Sequence, residues 1–368
     1  MFWKKKSLLL IAVVSISLIG CKKKGCTDPF AQNYAPSAQV DDGSCSYVAS
    51  QQNLQYGVNP IQSMELYLPA EHNHQTKVIL MVHGGGWVVG YNTTDYVTTF
   101  VSRFGWDILN PLLNEGYACA VIKYRTACYQ TDPASSTGES NLYFDQMMED
   151  IDLAITHLKT NANNLGISNN HFQLLGESAG GHLVLSYALQ NESDESIVSA
   201  VSMFAPTALD ESAWKIRLHE LDSIYPEGSI INGIDYVRTD ESSCQLITNT
   251  TLSLVAQLRS FGNQDTVKIY EPNLYLQTIS PATSSNIEKE IPLFIMHGEQ
   301  DSLVPVSHAD IMYNAFLAKF PSTTIAEGDN FAGTLKKKTY SNCGHGWIYP
   351  SCEKATIMAD IVSWMNAH

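Results

Sequence analysis

Five short runs of almost continuous apolar residues alternate with segments of helical periodicity along most of this chain. The runs are KVILMVH at 77 to 83, YACAVIKY at 117 to 124, HFQLLG at 171 to 176, AVSMFA at 200 to 205 and PLFIMHG at 292 to 298. Strands that are covered on both faces read as continuous apolar runs of this kind. The alternation therefore predicts an α/β fold with a mostly parallel central sheet and helices on both faces.

The segment FDQMMEDIDLAITHLKTNANNLG, between the second and third runs, has the period of an amphipathic helix. Its apolar positions are Met147, Met148, Ile151, Leu153, Ile155 and Leu158. This spacing predicts a helix that lies on the sheet and ends near Gly166. Asp150 on this helix and Arg125 after the second run can pair beneath the strand ends, and either also suits a surface charge.

The chain divides by its sequence into three parts. Residues 1–20 are expected to be a signal peptide, 21–50 a Cys-bounded linker module, and 51–368 the main domain. At 368 residues with 44% hydrophobic content, the chain can bury a substantial core. Residues 208 to about 279 interrupt the alternation with amphipathic pieces such as ESAWKIRLHELDSIY, which predicts a mainly helical cap insertion near the carboxyl ends of the strands, where such sheets bind ligands.

The charge balance argues against a nucleic-acid partner. Acidic residues number 37 and basic residues 22, giving a net charge of -15. Basic residues cluster only at the N-terminus and in LKKK at 335 to 338. Because phosphate binding is driven by clustered positive charge, no nucleic-acid binding is predicted.

The first twenty residues have the pattern of an export signal. MFWKKK supplies a positive start, and SLLLIAVVSISLIG is an apolar run shorter than the roughly 20 residues that a membrane-spanning helix needs. The residues LIGC, ending in Cys21, resemble a bacterial lipobox, which implies cleavage before Cys21 and its acylation. The expectation is an exported protein, lipid-anchored to the bacterial cell envelope in the outer membrane. The alternative is an ordinary signal peptide with a chance cysteine.

The linker module GCTDPFAQNYAPSAQVDDGSC resembles a short module of exported bacterial proteins and is bracketed by Cys26 and Cys45. In an oxidising compartment these two cysteines are expected to pair. Asp28, Asp41 and Asp42 could meet a calcium ion, but a solvated, turn-stabilising role is favoured. No metal and no cofactor are predicted.

The stretch LLGESAGGHL, at 174 to 183, places Ser178 between glycines directly after a predicted strand. One interpretation is a tight strand-to-helix turn that presents the serine for nucleophilic attack. The other is a glycine-rich turn with an incidental serine. A G-x-S-x-G match alone does not decide between them, so the partners decide.

Three further signals follow predicted strands. HGGGW, at 83 to 87, is a glycine run whose backbone N–H groups can approach a negatively charged oxygen. EQDSLVP follows the fifth run and carries Asp301, a carboxylate able to fix the tautomer of a histidine. Asp310 lies further along, within the next predicted helix, and is a poorer candidate. NCGHGW presents His345 between two glycines after a short strand.

Together, HGGGW, GESAGG and the order Ser, Asp, His resemble an α/β-hydrolase-fold serine esterase, close to the carboxylesterase and hormone-sensitive-lipase-like groups and to bacterial acetyl- and feruloyl-esterases. The resemblance covers roughly residues 75 to 350. It implies that Ser178 is the nucleophile, His345 the general base and acid, and Asp301 the orienting carboxylate. It also implies an oxyanion hole formed by the N–H groups of Gly85, Gly86 and Ala179.

The expected activity is hydrolysis of carboxylic esters through an acyl-enzyme, on a small-molecule or carbohydrate-linked ester. Cleavage of amides by a peptidase or formamidase, and a non-catalytic binding protein on a hydrolase fold, remain alternatives. Trp87, Glu177 and Trp347 are expected to contact substrate.

Two departures from the family pattern are visible. KYRTACYQTDP stands where the lipase-like group has a DYRLAPE-type stretch. The long gap between Asp301 and His345 also predicts an extra loop or hairpin, within STTIAEGDNFAGT, near the site.

The eight cysteines leave an odd number once Cys21 is assigned to lipid and the module cysteines are paired. Cys119 lies within an apolar run and is expected to be a small buried thiol. A Cys343–Cys352 bridge is predicted around the loop of His345. A Cys128–Cys244 bridge between the insertion and the main domain is the second expectation.

Overall fold

The computed structural model describes residues 22–27, 34–40, 51–87, 106–126, 144–209, 229–231, 234–236, 279–347 and 352–368. It contains two compact units, Met1–Tyr47 and Val48–His368. In the smaller unit, Cys26 is buried and disulfide-bonded. Cys21, Cys45 and the three aspartates considered for calcium lie outside the described residues.

A central sheet organises the larger unit. Its strands are β1 (Gln51–Gln55), β2 (Ser63–Tyr67), β3 (Val78–Val82), β4 (Ala118–Lys123), β5 (Phe172–Glu177), β6 (Ile197–Met203), β9 (Leu293–Gly298) and β10 (Leu335–Tyr340). Across the described sheet their order is β1-β2-β4-β3-β5-β6-β9-β10. β1 pairs antiparallel with β2 and β2 antiparallel with β4, and every other pairing is parallel. The carboxyl ends of β3, β5, β6, β9 and β10 therefore meet at one edge.

Helices cover both faces of the sheet. They are α1 (Trp106–Asn114), α2 (Phe144–Leu165), α3 (Ala179–Gln190), α4 (Ser307–Lys319) and α5 (Lys354–Ala367). Val78, Leu80 and Val82 join the hydrophobic cluster of α2, α3 and α4, while Ile79 and Met81 join the cluster of α1 and α5. Successive side chains of β3 thus pack into two different hydrophobic cores, because the side chains of a strand alternate between the two faces of the sheet. Among the described helices, none is long and apolar enough to cross a membrane.

The five strands and the amphipathic helix predicted for the main domain are confirmed. The five apolar runs coincide with β3, β4, β5, β6 and β9, and the predicted amphipathic helix is α2, after which Gly166 adopts φ 64°. Of the two interpretations of Arg125 and Asp150, pairing is right, because Arg125 Nη2 lies 2.6 Å from Oδ1 of the buried Asp150. β1 and β2 were not predicted.

The predicted helical insertion lies largely outside the described residues. Between its end residues 208, 209 and 279, the structure describes β7 (Ser229–Ile231) and β8 (Ile234–Tyr236), which pair antiparallel. These six residues form strands, whereas the segments predicted as helices are among those left undescribed.

The loop expected near the site because of the long gap before His345 lies elsewhere, and that prediction is wrong. The segment 322–334 precedes β10, whereas His345 follows it, so a whole strand separates them. Buried Lys336 holds the loop at the amino edge of the sheet, donating from Nζ to the carbonyl oxygens of Gly328 at 2.7 Å and Asn330 at 3.0 Å. Gap length alone does not say at which end of a strand the extra residues lie.

Candidate active site

Ser178 occupies a single-residue turn between β5 and α3. Its backbone has φ 51°, and its N–H donates to the Met203 carbonyl at 2.9 Å. A Cβ on Gly176 would lie 2.3 Å from the oxygen of Gly180, and one on Gly180 would lie 2.1 Å from the oxygen of Val82. Both distances are far below van der Waals contact. Of the two interpretations, the tight strand-to-helix turn is the one observed, and its neighbouring backbones leave no room for side chains at these two glycines.

The structure brings Ser178, His345 and Asp301 into one hydrogen-bonded chain. Ser178 Oγ lies 3.0 Å from His345 Nε2, and His345 Nδ1 lies 2.8 Å from Asp301 Oδ2. Because a carboxylate only accepts, a neutral His345 donates through Nδ1 and leaves Nε2 free to accept the serine proton. The Asp301 side chain is fully buried, and that of His345 is 19% exposed. The chain of hydrogen bonds thus runs from the interior toward solvent.

Four nitrogen atoms lie within 3.3 Å of the Asp301 carboxylate. Its Oδ1 accepts from the N–H groups of Leu303 at 2.9 Å and Val304 at 2.8 Å. Its Oδ2 faces His297 Nε2 at 3.3 Å in addition to His345. Burial alone would raise the pKa of Asp301, but the hydrogen bonds from His297 and His345 outweigh burial and hold that pKa below its usual range. The carboxylate is therefore ionised beside His345.

His297 is absent from the sequence-based set of site residues. It lies in β9, is 1% exposed and also contacts the Val304 carbonyl oxygen through Nε2 at 2.9 Å. The sequence feature that points to His297 is its position directly before Gly298, the last residue of β9. A histidine in a buried apolar strand needs a polar partner, and Asp301 follows four residues later.

The glycine loop, residues 83 to 87, packs directly on the serine turn. A Cβ on Gly84 would lie 3.0 Å from Ser178 Cβ, and the N–H of Gly84 donates to Glu177 Oε1 at 3.3 Å. Gly85 and Gly86 adopt φ 106° and 59° and are half-buried. Ala179 begins α3, so its N–H belongs to the positive end of that helix. Backbone donors from two chain segments therefore lie at the same strand edge as Ser178.

The start of the glycine loop has partners that the sequence did not indicate. The Tyr124 hydroxyl donates to the His83 carbonyl at 3.0 Å, and the two rings stack with centroids 4.5 Å apart. His83 Nδ1 lies 2.7 Å from the Gly84 carbonyl oxygen. Tyr124 directly follows β4, so its contacts fix where the loop leaves β3.

Two of the three residues expected to contact substrate are instead engaged inside the protein. Trp87 is 1% exposed, and its indole N–H donates to His182 Nδ1 at 3.2 Å. Glu177 is 7% exposed and accepts from the glycine loop, and burial raises its pKa to about 7. Both side chains therefore support the loop, a correction to the predicted substrate contact. The backbone of Trp347 lies in a single 3-10 turn, His345–Trp347, and its side chain is outside the described part of the structure.

The predicted Cys343–Cys352 disulfide is confirmed, with the two Cα atoms 4.7 Å apart. The Cys343 carbonyl accepts the Gln300 N–H at 2.9 Å, which ties the loop of His345 to the loop of Asp301. Phe204 packs edge-on against the His345 ring, with centroids 4.8 Å apart. Cys119 is a buried free thiol, as predicted. Cys128 and Cys244 lie outside the described residues.

Among the described residues, neither a metal-binding group of side chains nor the surface groove at the amino ends of the strands offers an alternative centre. In the described residues, no group of three or more His, Cys, Asp or Glu side chains could hold a metal ion. A polar groove lined by Thr76, Lys77, Glu115 and Tyr117, among others, lies at the amino ends of β3 and β4. That edge is opposite to the one that carries Ser178.

A protein-family model described as BD-FAE matches residues 64–316. This span is more than half of the 368 residues. The chain belongs to the BD-FAE family. The BD-FAE match contains Ser178 and Asp301 and ends within α4, before His345 is reached.

This BD-FAE protein is similar to two plant proteins. It is 23% identical over 263 residues to the probable isoprenylcysteine alpha-carbonyl methylesterase ICMEL1 of Oryza sativa subsp. japonica, a match covering 71% of this chain and 51% of that protein. It is 26% identical over 153 residues to the isoprenylcysteine alpha-carbonyl methylesterase ICME of Arabidopsis thaliana, covering 41% of this chain and 31% of that one. The chain thus spans about half or less of these relatives.

Solved structures of other proteins share the fold. A truncated form of a carbohydrate esterase from gut microbiota aligns with a TM-score of 0.53 and 18% identity, over 87% of this chain and 96% of that one. Esterase B from Lactobacillus Rhamnosis aligns with a TM-score of 0.54 and 15% identity, over 86% of this chain and 84% of that one. The BD-FAE domain therefore has the α/β-hydrolase fold.

Proposed function

We propose that this protein is a serine hydrolase that cleaves carboxylic esters through an acyl-enzyme. The observation that carries the proposal is the hydrogen-bonded chain from Ser178 Oγ through His345 to the ionised Asp301. Membership of the BD-FAE family and similarity to proteins named as esterases support it. In this proposal Ser178 is the nucleophile, His345 the general base and acid, and Asp301 the group that orients His345.

The chemistry follows from the geometry. Ser178 Oγ attacks the ester carbonyl carbon while its proton passes to His345 Nε2, and the carbonyl π electrons move onto oxygen. The bond between that carbon and the alcohol oxygen then breaks, and His345 returns the proton to the departing alkoxide. Water repeats the sequence on the acyl-enzyme, releasing the acid and restoring Ser178. Asp301 stays ionised and stabilises the imidazolium that forms during both acylation and deacylation.

The negative oxygen of each tetrahedral intermediate needs donors that are already in place. We assign this role to the N–H groups of Ala179, Gly85 and Gly86. Ala179 lies at the amino end of α3, and the glycine loop packs against Ser178. Removing one such donor typically costs about 100- to 1000-fold in turnover.

An acylated carbohydrate is the substrate class we propose. The solved structure named as a carbohydrate esterase is similar along almost its whole length. Nitrophenyl acyl esters of increasing chain length, run beside acetylated xylan, test the class of ester. Nitroanilides of the same acyl groups test amide cleavage, and preferential turnover of the anilides would replace the ester proposal.

The mechanism is tested by Ser178→Ala, which we expect to lower turnover on the order of 10⁴-fold or more because the three residues act as a unit. Ser186→Ala is the matched control. Ser186 is also a buried serine, lies on α3, and its hydroxyl has no partner among the described residues. Hydrolysis by Ser178→Ala at the rate of the control would overturn the proposal.

A further inference from the structure

We propose that His182, acting through Trp87, is a positioning residue that fixes the far end of the glycine loop against the serine turn. The inference rests on the proposed function, in which this loop supplies oxyanion donors. It concerns how the loop is held, and it gives His182 no contact with substrate.

The far end of the loop needs a restraint. Gly85, Gly86 and Trp87 all adopt positive φ, of 106°, 59° and 62°. Glycine populates this region freely and loses more conformational freedom than other residues when it is fixed. A tryptophan there costs on the order of 1 to 2 kcal/mol. Such a backbone persists only when its surroundings hold it.

Trp87 provides this restraint. Its side chain is 1% exposed and packs edge-on against the His182 ring, with centroids 5.2 Å apart. Its indole N–H donates to His182 Nδ1 at 3.2 Å. A buried indole N–H without a partner would cost free energy, so this hydrogen bond selects one side-chain position and the backbone that goes with it.

The His182 ring is itself held by one further hydrogen bond and one ring contact. Its Nε2 lies 2.8 Å from the Ile279 carbonyl oxygen, which only accepts, so the proton is on Nε2 and Nδ1 is free to accept from Trp87. Phe144 packs against the ring with centroids 5.3 Å apart. Burial lowers the pKa of His182 to about 4, so the ring is neutral and keeps this tautomer at neutral pH.

The position of His182 makes the restraint relevant to chemistry. Its backbone N–H donates to the Ser178 carbonyl at 3.0 Å, within the first turn of α3. The contact between Trp87 and His182 thus sets the glycine loop relative to the residue that carries the proposed nucleophile. A displacement of about 1 Å between donors and reacting atoms can cost on the order of 100-fold in rate.

The test uses Trp87→Phe, which keeps a ring but removes the donor, and His182→Gln, which keeps a donor near the Nε2 position but loses the Nδ1 acceptor. Their double variant closes a mutant cycle. Trp364→Phe is the matched control, since Trp364 is a fully buried tryptophan whose indole N–H has no hydrogen-bond partner among the described residues. Each variant is made in the full chain, and its melting temperature is recorded.

We expect kcat to fall roughly 10- to 100-fold in both single variants while KM changes little, because oxyanion donors act in the transition state. The inhibition constant of an alkyl boronic acid, which mimics the tetrahedral intermediate, should rise by a similar factor. The double variant should be no worse than the worse single variant, since both break one contact. Trp364→Phe should keep wild-type kcat.

Hydrogen exchange of the peptide covering residues 83 to 87 provides a readout that does not depend on activity. Faster exchange in Trp87→Phe and His182→Gln, but not in Trp364→Phe, is the expected result. Exchange equal to that of the control overturns the inference, whatever the protein hydrolyses. Faster exchange with unchanged kcat would overturn the role in catalysis. Activity that survives Ser178→Ala instead contradicts the proposed function and leaves the exchange result to decide on the loop.

Discussion

Ser178 holds its backbone at φ 51° and ψ -120°, outside the regions that residues with a Cβ usually occupy. Such a conformation costs on the order of 1 to 3 kcal/mol. The chain requires it because β5 ends at Glu177 and α3 begins at Ala179, so one residue makes the whole turn. The turn leaves Oγ at the carboxyl edge of the sheet within hydrogen-bonding distance of His345. The strain and the proposed catalytic role therefore have the same structural origin.

Glu177, next to this turn, carries a second local cost. Burial raises its pKa from the ordinary 4.5 to about 7, and the N–H of Gly84 offsets only part of that rise. Below pH 4.5 both the folded and the unfolded states hold the proton. Between pH 4.5 and 7 the unfolded state loses it first, so stability falls with rising pH across this window and is then constant.

Glu177→Gln should remove this pH-dependent loss while an amide oxygen still accepts from Gly84. We expect the free energy of unfolding of the variant, relative to the wild type, to increase by up to about 3 kcal/mol between pH 4 and pH 8. Urea unfolding at the two pH values measures it. Glu192→Gln, the same change at an exposed glutamate, should leave the difference near zero. A constant difference between Glu177→Gln and the wild type would show that Glu177 is not protonated at neutral pH.

At the scale of elements, the inner strands could be predicted because burial on both faces leaves a continuous apolar run. β3, for example, reads VILMV and is buried along its whole length. β1 and β2 could not be predicted in this way. They lie at the antiparallel edge, and their sequences, QQNLQ and SMELY, mix polar with apolar residues.

The three side chains of the proposed triad were predictable because each lies in a short loop after a strand, flanked by glycines or turn residues. Their supporting residues were not. Trp87 and His182 lie 95 positions apart, and His83 and Tyr124 lie 41 apart. Periodicity reports which face of an element is buried. It does not report which buried side chains from distant elements meet.

The Cys343–Cys352 bridge closes the loop that carries His345, and its effect should be local. A ring of this size, with a sequence separation of 9, restrains the unfolded chain by roughly 2 to 3 kcal/mol. We expect Cys343→Ala to lower turnover by about 10- to 100-fold, because His345 would be held less firmly opposite Ser178. Initial rates and thermal melts of the same preparation measure the two effects.

Two variants separate loss of the bridge from loss of a side chain. Cys352→Ala should reproduce the turnover of Cys343→Ala, since both remove one bond. Cys119→Ala removes a buried thiol that forms no disulfide and should keep wild-type turnover. A fall in melting temperature with unchanged turnover in both bridge variants would mean that the disulfide does not position His345.

At the scale of the whole molecule, the BD-FAE match covers less of the chain than the central sheet does. The match runs from β2 into α4, yet β10 and α5 continue the same sheet and cores up to the C-terminus. Asp301 therefore lies inside the matched span and His345 beyond it. The first 50 residues precede both the sheet and the match, so their role has to be argued from their own sequence.

We propose that these residues export the protein and anchor it to the cell envelope through an acylated Cys21. The sequence MFWKKK, the apolar run and LIGC support this proposal. The net charge of -15 disfavours a purely electrostatic attachment to an anionic membrane surface. Buried acyl chains contribute about 0.8 kcal/mol per CH₂ and act independently of that charge.

Cys21→Ser removes the thiol that would carry the lipid. We expect the variant to move from the detergent phase to the aqueous phase in a temperature-induced phase separation, with unchanged hydrolysis of short acyl esters because the BD-FAE domain is untouched. Cys119→Ser is the control for a cysteine change alone and should stay with the detergent, since its buried thiol has no role in attachment. Wild-type protein that is exported and still partitions to the aqueous phase would make the segment an ordinary signal peptide. In that case Cys21 is only the residue that happens to follow it.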